Sequence, residues 1–392
     1  MSKNYKRTIY ACFIGYIVQA IVNNFLPLLF VTFQKTYNIP LSKITLLITL
    51  NFMIQLFIDA FSAWFIKKIG YKASIIIAHI SAAFGLCLLT VLPEALPDPF
   101  IGTLIPVFFY AIGGGLLEVL VSPIVEACPT ENKEKAMSLL HSFYCWGHVG
   151  VVLISTAFFA LFGTESWKLL ALFWAIIPVL NIFVFAKAPI YLLEGDGEKG
   201  LSLRELFSQK VFWILIVMML CAGASEQAVS QWASTFAEQG LGVSKAIGDL
   251  AGPMSFAAAM GLSRLIFGKL GDRLNLDRFM IFSCILCLCS YACIAFVPVP
   301  AINLIGCAMT GFSVGIMWPG TYSRASAMIR GGGTAMFALL ALAGDLGCSG
   351  GPTLAGLVSS AFGGNLKIGI LSAMIFPALM LCGIFALKKK SK

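Results

Sequence analysis

The chain has 392 residues, of which 59% are hydrophobic and only 11% are charged, and its formal net charge is +9. Soluble domains carry about 25% charged residues, so this composition excludes a water-soluble fold. Apolar stretches of about 20 residues, the length that crosses a hydrocarbon core of ~30 Å, recur from end to end. The sequence therefore predicts an all-α membrane protein.

Twelve transmembrane helices are predicted in chain order, separated by short polar or Pro/Gly-rich segments. Their predicted limits are 9–33, 44–66, 73–92, 101–125, 137–162, 167–186, 212–237, 247–268, 279–297, 301–329, 334–362 and 366–387. The longest break follows the sixth span. It divides the chain into an N-terminal six-helix bundle (1–186), a cytoplasmic linker (187–210) and a C-terminal six-helix bundle (211–392).

The distribution of basic residues predicts the orientation of the chain. With the amino terminus inside, the inner segments hold 21 of the 27 Lys and Arg residues, as the positive-inside rule requires. An even number of spans then places both termini in the cytoplasm, and we expect a multi-pass protein of the cell (inner) membrane. The positive net charge follows from this bias and does not indicate a nucleic-acid partner.

The two halves of the sequence resemble each other. "GGGLLEVLVSP" (113–123) in the fourth span is similar to "SVGIMWPGTYS" (313–323) in the tenth, and "KAMSLL" (135–140) is similar to "TAMFALL" (334–340). The similarity predicts two pseudosymmetric six-helix bundles. Transporters built from such repeats place their solute between the halves, near the bilayer midplane.

Polar residues inside the spans form stripes, because residues spaced by three or four share one helical face. The stripes are Tyr16, Gln19 and Asn23 in the first span, Asn51, Gln55 and Asp59 in the second, Glu118 and Ser122 in the fourth, His141, Tyr144 and His148 in the fifth, and Glu226, Gln227, Ser230 and Gln231 in the seventh. The eleventh span carries Asp345.

A carboxylate at the centre of a bilayer costs on the order of 3 kcal/mol, so the buried acids are expected to face a wet cavity rather than lipid. An acid in such a cavity can exchange a proton in the working range, which is what proton coupling requires. We therefore predict proton coupling for Glu118, Asp59, Glu226 and Asp345. The alternative for each acid is a structural hydrogen bond or ion pair with another helix.

One loop resembles a known signature. The segment "GKLGDRLNLDR" (268–278) after the eighth predicted span is similar to the signature of the major facilitator superfamily, with Asn275 in place of its second glycine. The resemblance implies the major facilitator fold and a role in conformational gating for Gly268, Asp272 and Arg273. The alternative is that the loop only caps two helices.

The fourth and fifth spans also resemble the fucose permease-like (fucose–galactose–glucose:proton symporter) group, through the Gly-x-x-x-Glu pattern and "LLHSFYCWGHVG" (139–150). The resemblance implies that Glu118 takes part in proton-linked sugar binding. The chain departs from the group in two places. Pro27 stands where the group has a proton-coupling aspartate, and Tyr144 stands where it has a sugar-contacting asparagine.

The amides and aromatic residues of the spans suit a sugar better than an apolar compound. The predicted substrate-binding residues are Asn23, Asn51, Gln55, Glu118, His141, Tyr144, His148, Gln227, Gln231, Trp232 and Trp318. The two histidines could instead form a proton relay, and the two tryptophans could serve only in packing. Arg264 is expected to support the cytoplasmic loop after its span, and the alternative is that it binds substrate.

We therefore predict a secondary transporter that moves a sugar or similar small polar solute by alternating access, with proton symport. The alternatives are an exporter of amphipathic or drug-like compounds and sodium-coupled sugar uptake. An enzyme is not expected, because neither HExxH nor GxSxG is present. The lack of a phosphate-binding loop ending in Gly-Lys-Ser/Thr argues against an ATP-driven pump, and a non-transporting receptor with this fold is a further alternative. We expect no metal, no cofactor beyond the coupling ion, a monomer, and the solute and the lipid bilayer as partners.

Overall fold

The structure is a computed structural model that describes residues 5–130, 133–191, 201–270 and 275–390. Over these ranges it consists of helices joined by short loops, and it contains no strand. Twelve of the described helices or helix runs are long and apolar enough to cross a membrane. The predicted all-α membrane protein with twelve transmembrane helices is therefore confirmed.

The spans follow the predicted order closely. They are Tyr5–Tyr37, Leu41–Ser62, Tyr71–Leu89, Pro99–Glu126, Leu139–Phe162, Thr164–Lys187, Lys210–Gly240, Lys245–Phe267, Leu276–Phe296, Pro300–Met328, Ala335–Ala361 and Leu366–Lys388. Five of the helices in these spans continue beyond the apolar stretch, namely Leu41–Ile69, Lys133–Phe162, Ser255–Leu270, Gly333–Ala361 and Ile375–Lys390. Two short helices, Leu92–Ala95 and Leu203–Ser208, lie in the connections.

Several spans are interrupted and consist of successive helical segments. The first contains Tyr5–Asn24, Leu26–Leu29 and Phe30–Tyr37; the seventh, Lys210–Ser230, Ala233–Thr235 and Phe236–Gly240; the eighth, Lys245–Asp249, Leu250–Met254 and Ser255–Leu270; the tenth, Pro300–Val314 and Met317–Met328; the twelfth, Leu366–Ser372 and Ile375–Lys390. In the first span the cause is Pro27, which has no N–H to donate to the carbonyl of Asn23.

The chain divides into two compact units, an N-terminal unit of residues 1–195 and a C-terminal unit of residues 196–392. Each unit contains six of the twelve spans. The domain boundaries at 186 and 211 remain a prediction, and residues 192–200 of the predicted linker lie outside the described residues.

In the N-terminal unit, the glycine triplet 113–115 lets the fourth span approach three neighbours at once. A Cβ atom on its first glycine would lie 2.6 Å from the carbonyl oxygen of Ala78, in the third span. On the second glycine it would lie 2.9 Å from Cγ1 of Val22 in the first span, and on the third, 2.9 Å from Cα of Gln55 in the second. Small residues at such positions allow the close backbone approach that packs helices in membranes.

In the C-terminal unit, the seventh and eleventh spans also pack through glycines. A Cβ atom on Gly347 would lie 1.9 Å from the carbonyl oxygen of Leu220, and one on Gly351 would lie 2.3 Å from that of Ala224. No rearrangement of side chains could relieve these contacts, because the atoms that would collide belong to the backbone. The two helices are therefore held at a distance that only glycine permits.

A buried polar cluster fixes the third and sixth spans to the first. The side-chain amide of Asn181 donates to the carbonyl oxygen of Ala11 at 2.9 Å and lies 2.8 Å from Nε2 of His79. The other ring nitrogen of His79 lies 2.7 Å from the carbonyl oxygen of Ile75. These contacts give His79 a structural role within the N-terminal unit, in contrast to the two histidines of the fifth span.

The helix contact at Gly347 yields a prediction of stability. Gly347→Ala should destabilise the protein by roughly 1–3 kcal/mol, the usual cost of overpacking, because the seventh span must move away. The matched control is Gly350→Ala on the same helix, where an added Cβ meets nothing within 4 Å. Thermal unfolding of the purified protein should show a lowered Tm for the first variant only. Equal Tm values for the two variants would contradict the packing described here.

Candidate functional site

In the N-terminal unit, Glu118 lies one helical turn after the glycine triplet 113–115. Because the triplet brings the fourth span close to the first, the side-chain amide of Gln19 donates to Oε2 of Glu118 at 2.9 Å. One turn further along, the hydroxyl groups of Tyr16 and Ser122 are 2.9 Å apart. The polar stripes predicted on the first and fourth spans therefore face each other.

The second span brings another acid to the same place. One carboxylate oxygen of Asp59 lies within 4.8 Å of one carboxylate oxygen of Glu118. Both side chains are partly exposed, whereas Gln19 beside them is buried. Two negative charges at this distance within a membrane span repel strongly, so the pair has a marked tendency to hold a proton or a cation.

A cluster of three amides lies on the first and second spans. The side-chain oxygen of Asn23 accepts hydrogen bonds from Asn51 at 3.1 Å and from Gln55 at 2.8 Å. All three side chains are at least nine-tenths buried. Asn23 of this cluster lies one turn before Pro27, where the first span is interrupted. Because proline has no N–H, it cannot donate a helical hydrogen bond to the backbone carbonyl of Asn23.

The structure places the predicted residues of the fifth span differently from one another. The ring of His141 is exposed but lies 5.5 Å from that of Tyr16, measured between centroids. Tyr144 is half-buried, and His148 is 2% exposed. The ring contact with Tyr16 joins His141 to the polar network of the first and fourth spans, and the proton relay through both histidines remains a prediction.

In the C-terminal unit, Glu226 stands beside a base. Nη2 of Arg264 lies 3.6 Å from Oε2 of Glu226, and Nε of the same arginine lies 3.4 Å from the carbonyl oxygen of Gly315. The amide of Gln227 donates to Oε1 of Glu226 at 3.1 Å, and Gln231 donates to Gln227 at 3.0 Å. Glu226 thus forms an ion pair with Arg264 inside the membrane spans of the C-terminal unit.

The two predicted tryptophans lie in different environments. Trp232 is fully buried, and its indole N–H donates to the carbonyl oxygen of Pro352 at 2.9 Å. Trp318 is partly exposed and packs against Gly344, where a Cβ atom would lie 2.2 Å from the indole ring. Asp345 follows Gly344 on the eleventh span and is 6% exposed. The geometry favours packing for Trp232 and leaves Trp318 available to a ligand.

The gating residues are only partly described. Gly268 belongs to the helix Ser255–Leu270, and Asp272 and Arg273 lie outside the described residues. Their gating role remains a prediction.

The sequence analysis did not predict the contact between Arg264 and Glu226. The Cα of Arg264 lies three residues before the end of the span Lys245–Phe267, which is why a role at the cytoplasmic loop was expected. The side chain instead extends to Glu226. The only signal in the sequence was the position of an arginine within an apolar span, where a charged residue marks a functional site by default.

Twelve spans in two units, with acids and amides inside the spans, are the construction of a membrane transporter. The model of the Major Facilitator Superfamily matches residues 12–352. The chain belongs to that family, and it is a multi-pass membrane transporter and not an enzyme, as predicted. A comparison with curated proteins finds no match by sequence.

Solved structures of three transporters share the fold. A bacterial homologue of the human lysosomal transporter Spinster, inward-facing and occupied, matches with 15% identity and a TM-score of 0.77 over 99% of this chain and 98% of that one. The E. coli fucose:proton symporter matches with 16% identity and a TM-score of 0.65 over 98% and 99%. A D-xylose-proton symporter matches with 14% identity and a TM-score of 0.77 over 98% and 97%.

The environment of Trp232 yields a prediction. Trp232→Phe should lower stability by about 1–3 kcal/mol, because it leaves a buried carbonyl without its donor. Trp213→Phe is the matched control, since that indole also donates to a carbonyl oxygen but its side chain is 52% exposed. The measurement is the Tm of both purified variants together with their uptake kinetics. A raised KM for solute with an unchanged Tm in Trp232→Phe would instead support the predicted contact with solute.

Proposed function

We propose that the protein is a proton-coupled symporter of a sugar or similar small polar solute, which works by alternating access in the cell membrane. The observation that carries the proposal is the pair of carboxylates formed by Asp59 and Glu118, within 4.8 Å of each other inside the N-terminal unit. We further propose a monomer in the inner membrane with both termini in the cytoplasm and no cofactor beyond the coupling ion.

The carboxylate pair supports the choice of the proton. At such a separation the second negative charge is costly in a membrane span, and one bound proton removes that cost. Gln19 donates a hydrogen bond to Glu118 and so supports its ionised form when the proton leaves. The pair can therefore exist in two charge states, which is the property that coupling to a gradient needs.

The amide cluster supports a polar solute rich in hydroxyl groups. Within the described part of the chain, the side-chain oxygen of Asn51 is buried and has no hydrogen-bond partner. A buried acceptor left without a donor costs about 1–3 kcal/mol, which a hydroxyl group of a solute would recover. The amides of Asn23 and Gln55 beside it offer further donors and acceptors.

The comparisons agree with this choice of solute and ion. Two of the solved structures with the same fold are named as symporters of a sugar and a proton, one for fucose and one for D-xylose. At 16% and 14% identity, these two structures show only that the fold is shared. The argument for the solute therefore depends on the amides, and the argument for the proton on the carboxylate pair.

Sodium is the second candidate ion, because carboxylate oxygens are also ligands for hard cations. The departure at Pro27, where the fucose permease-like group has an aspartate, favours considering it. The same assay separates the two ions, as well as the alternative of an exporter for amphipathic or drug-like compounds.

The test is uptake of labelled sugars and sugar-derived solutes into proteoliposomes under an imposed proton gradient or an imposed sodium gradient. The wild-type protein should accumulate solute under the proton gradient. Glu118→Gln should abolish accumulation, because the pair loses the group that gains and releases the proton, and it should retain exchange of solute at equilibrium.

Glu165→Gln, a change of the same type at an exposed position, is the control and should behave as the wild type. Accumulation driven only by sodium would replace the coupling ion in the proposal. Proton-driven accumulation by Glu118→Gln would remove that residue from the mechanism. Transport of amphipathic cations alone would favour the exporter.

A further inference from the structure

The guanidinium group of Arg264 lies level with the middle of the C-terminal unit, although its Cα is near the end of a span. Its partner Glu226 is one residue from the midpoint of the span Lys210–Gly240. Its second partner, the carbonyl oxygen of Gly315, is one residue from the midpoint of Pro300–Met328. The positive charge is therefore at the depth where solutes bind in transporters of this architecture.

The contacts of Arg264 with Glu226 and with the carbonyl oxygen of Gly315 are long. The distance from Nη2 to Oε2 of Glu226 is 3.6 Å. An optimised arginine–carboxylate pair is bidentate, with two parallel bonds of about 2.7–2.9 Å. The contact from Nε to the carbonyl of Gly315, at 3.4 Å, is also weak. A carboxylate free to choose its position could bind this guanidinium better than Glu226 does.

The side chain of Arg264 is also open to a ligand, since it is 25% exposed. The interruption of the tenth span between Val314 and Met317 lies beside it, since Gly315 within that interruption offers its carbonyl oxygen to the guanidinium. The half-exposed ring of Trp318 follows one turn later on that span. The arrangement offers a cation and an aromatic surface at one level of the unit.

Several other charged groups on the elements around Glu226 have partners of their own. The eighth span also carries Lys245 and Asp249, which pair with each other, and Arg324 on the tenth span pairs with Asp277 on the ninth. The hydroxyl group of Tyr291 donates to the carbonyl oxygen of Ser225. The remaining titratable or charged groups of these spans are Arg278 and cysteine thiols on the ninth, Tyr322 and Cys307 on the tenth, Asp345 and Cys348 on the eleventh, and Lys367, Cys382 and Lys388 on the twelfth. Arg264 is the basic group that pairs with Glu226.

From this geometry we infer that Arg264 determines specificity for a solute that carries a carboxylate, so that the solute class is a sugar acid, a hydroxylated carboxylic acid. The inference rests on the proposed function and narrows it. The carboxylate of the solute replaces Glu226 on the guanidinium, and Glu226 takes up one proton, delivered as hydronium from the bulk solution. The solute brings one negative charge and the proton one positive charge, so the net charge within the membrane does not change.

The test measures binding to the purified full-length protein at mildly acidic and mildly alkaline pH. The probes are D-glucuronate and D-gluconate, with D-glucose and L-fucose as neutral counterparts. The acids should bind more tightly than the neutral sugars, and more tightly at the lower pH. Arg264→Gln should weaken binding of the acids about 10-fold or more, the equivalent of one charged hydrogen bond, and leave the neutral sugars unchanged.

Three further variants make the result specific. Arg264→Lys should fall between the wild type and Arg264→Gln, because an ammonium group keeps the charge but not the bidentate geometry. Glu226→Gln should bind the acids tightly at both pH values, because the competing carboxylate is gone. Arg330→Gln, at an exposed arginine of the same unit, should match the wild type.

Binding of neutral sugars but not of the acids by the wild type would overturn this inference and leave the proposed function intact. Binding of neither class would overturn both. If Arg264→Gln does not fold, Arg264→Lys and Glu226→Gln decide the question, since unchanged pH dependence in Glu226→Gln contradicts the exchange of partners on the guanidinium.

Discussion

The close approach of helices through glycine is the constraint on which the polar chemistry of both units depends. In the N-terminal unit the triplet 113–115 removes the side chains that would separate the fourth span from its neighbours. Only at that distance can Gln19 reach Glu118 and can Asp59 lie within 4.8 Å of the same carboxyl group. A larger residue in the triplet would change the charge interactions one turn away without touching any charged group.

The two units share an interrupted helix that carries amides, but they differ in the charges placed beside it. In each unit an interrupted helix, the first or the seventh span, carries amides just before the interruption. The N-terminal unit adds an acid beside an acid, which favours uptake of a positive ion. The C-terminal unit adds a base beside an acid, Arg264 and Glu226, which already balance each other. The repeat seen in the sequence therefore preserves the backbone and changes the electrostatics.

The sequence predicted the spans well, because apolar length and turn residues determine them locally. It also predicted that Glu118 and the amides of the second span belong to polar faces, since helical spacing determines which residues share a face. It could not predict which faces meet. The hydrogen bonds from Asn51 and Gln55 to Asn23 depend on how closely the first and second spans pack. A single sequence does not specify the distance between two helices.

Arg264 shows the limit of a prediction made from the position of Cα. A long flexible side chain can place its charge more than a turn away from its backbone, and the direction depends on the partners available. Trp232 shows a second limit. An aromatic residue beside amides resembles a sugar platform in the sequence, whereas the structure shows a hydrogen bond from Trp232 to the carbonyl oxygen of Pro352 that joins two spans. The contact of Trp232 with solute remains a prediction.

The backbone contacts at Gly347 and Gly351 have a mechanical consequence for the C-terminal unit. The seventh and eleventh spans cannot slide or rotate against each other there without a collision of main-chain atoms. Along this stretch the two helices therefore behave as one rigid element. The unit can bend more easily at the interruptions of its other helices, for example between Val314 and Met317 in the tenth span and between Ser372 and Ile375 in the twelfth. Arg264 contacts the first of these at Gly315.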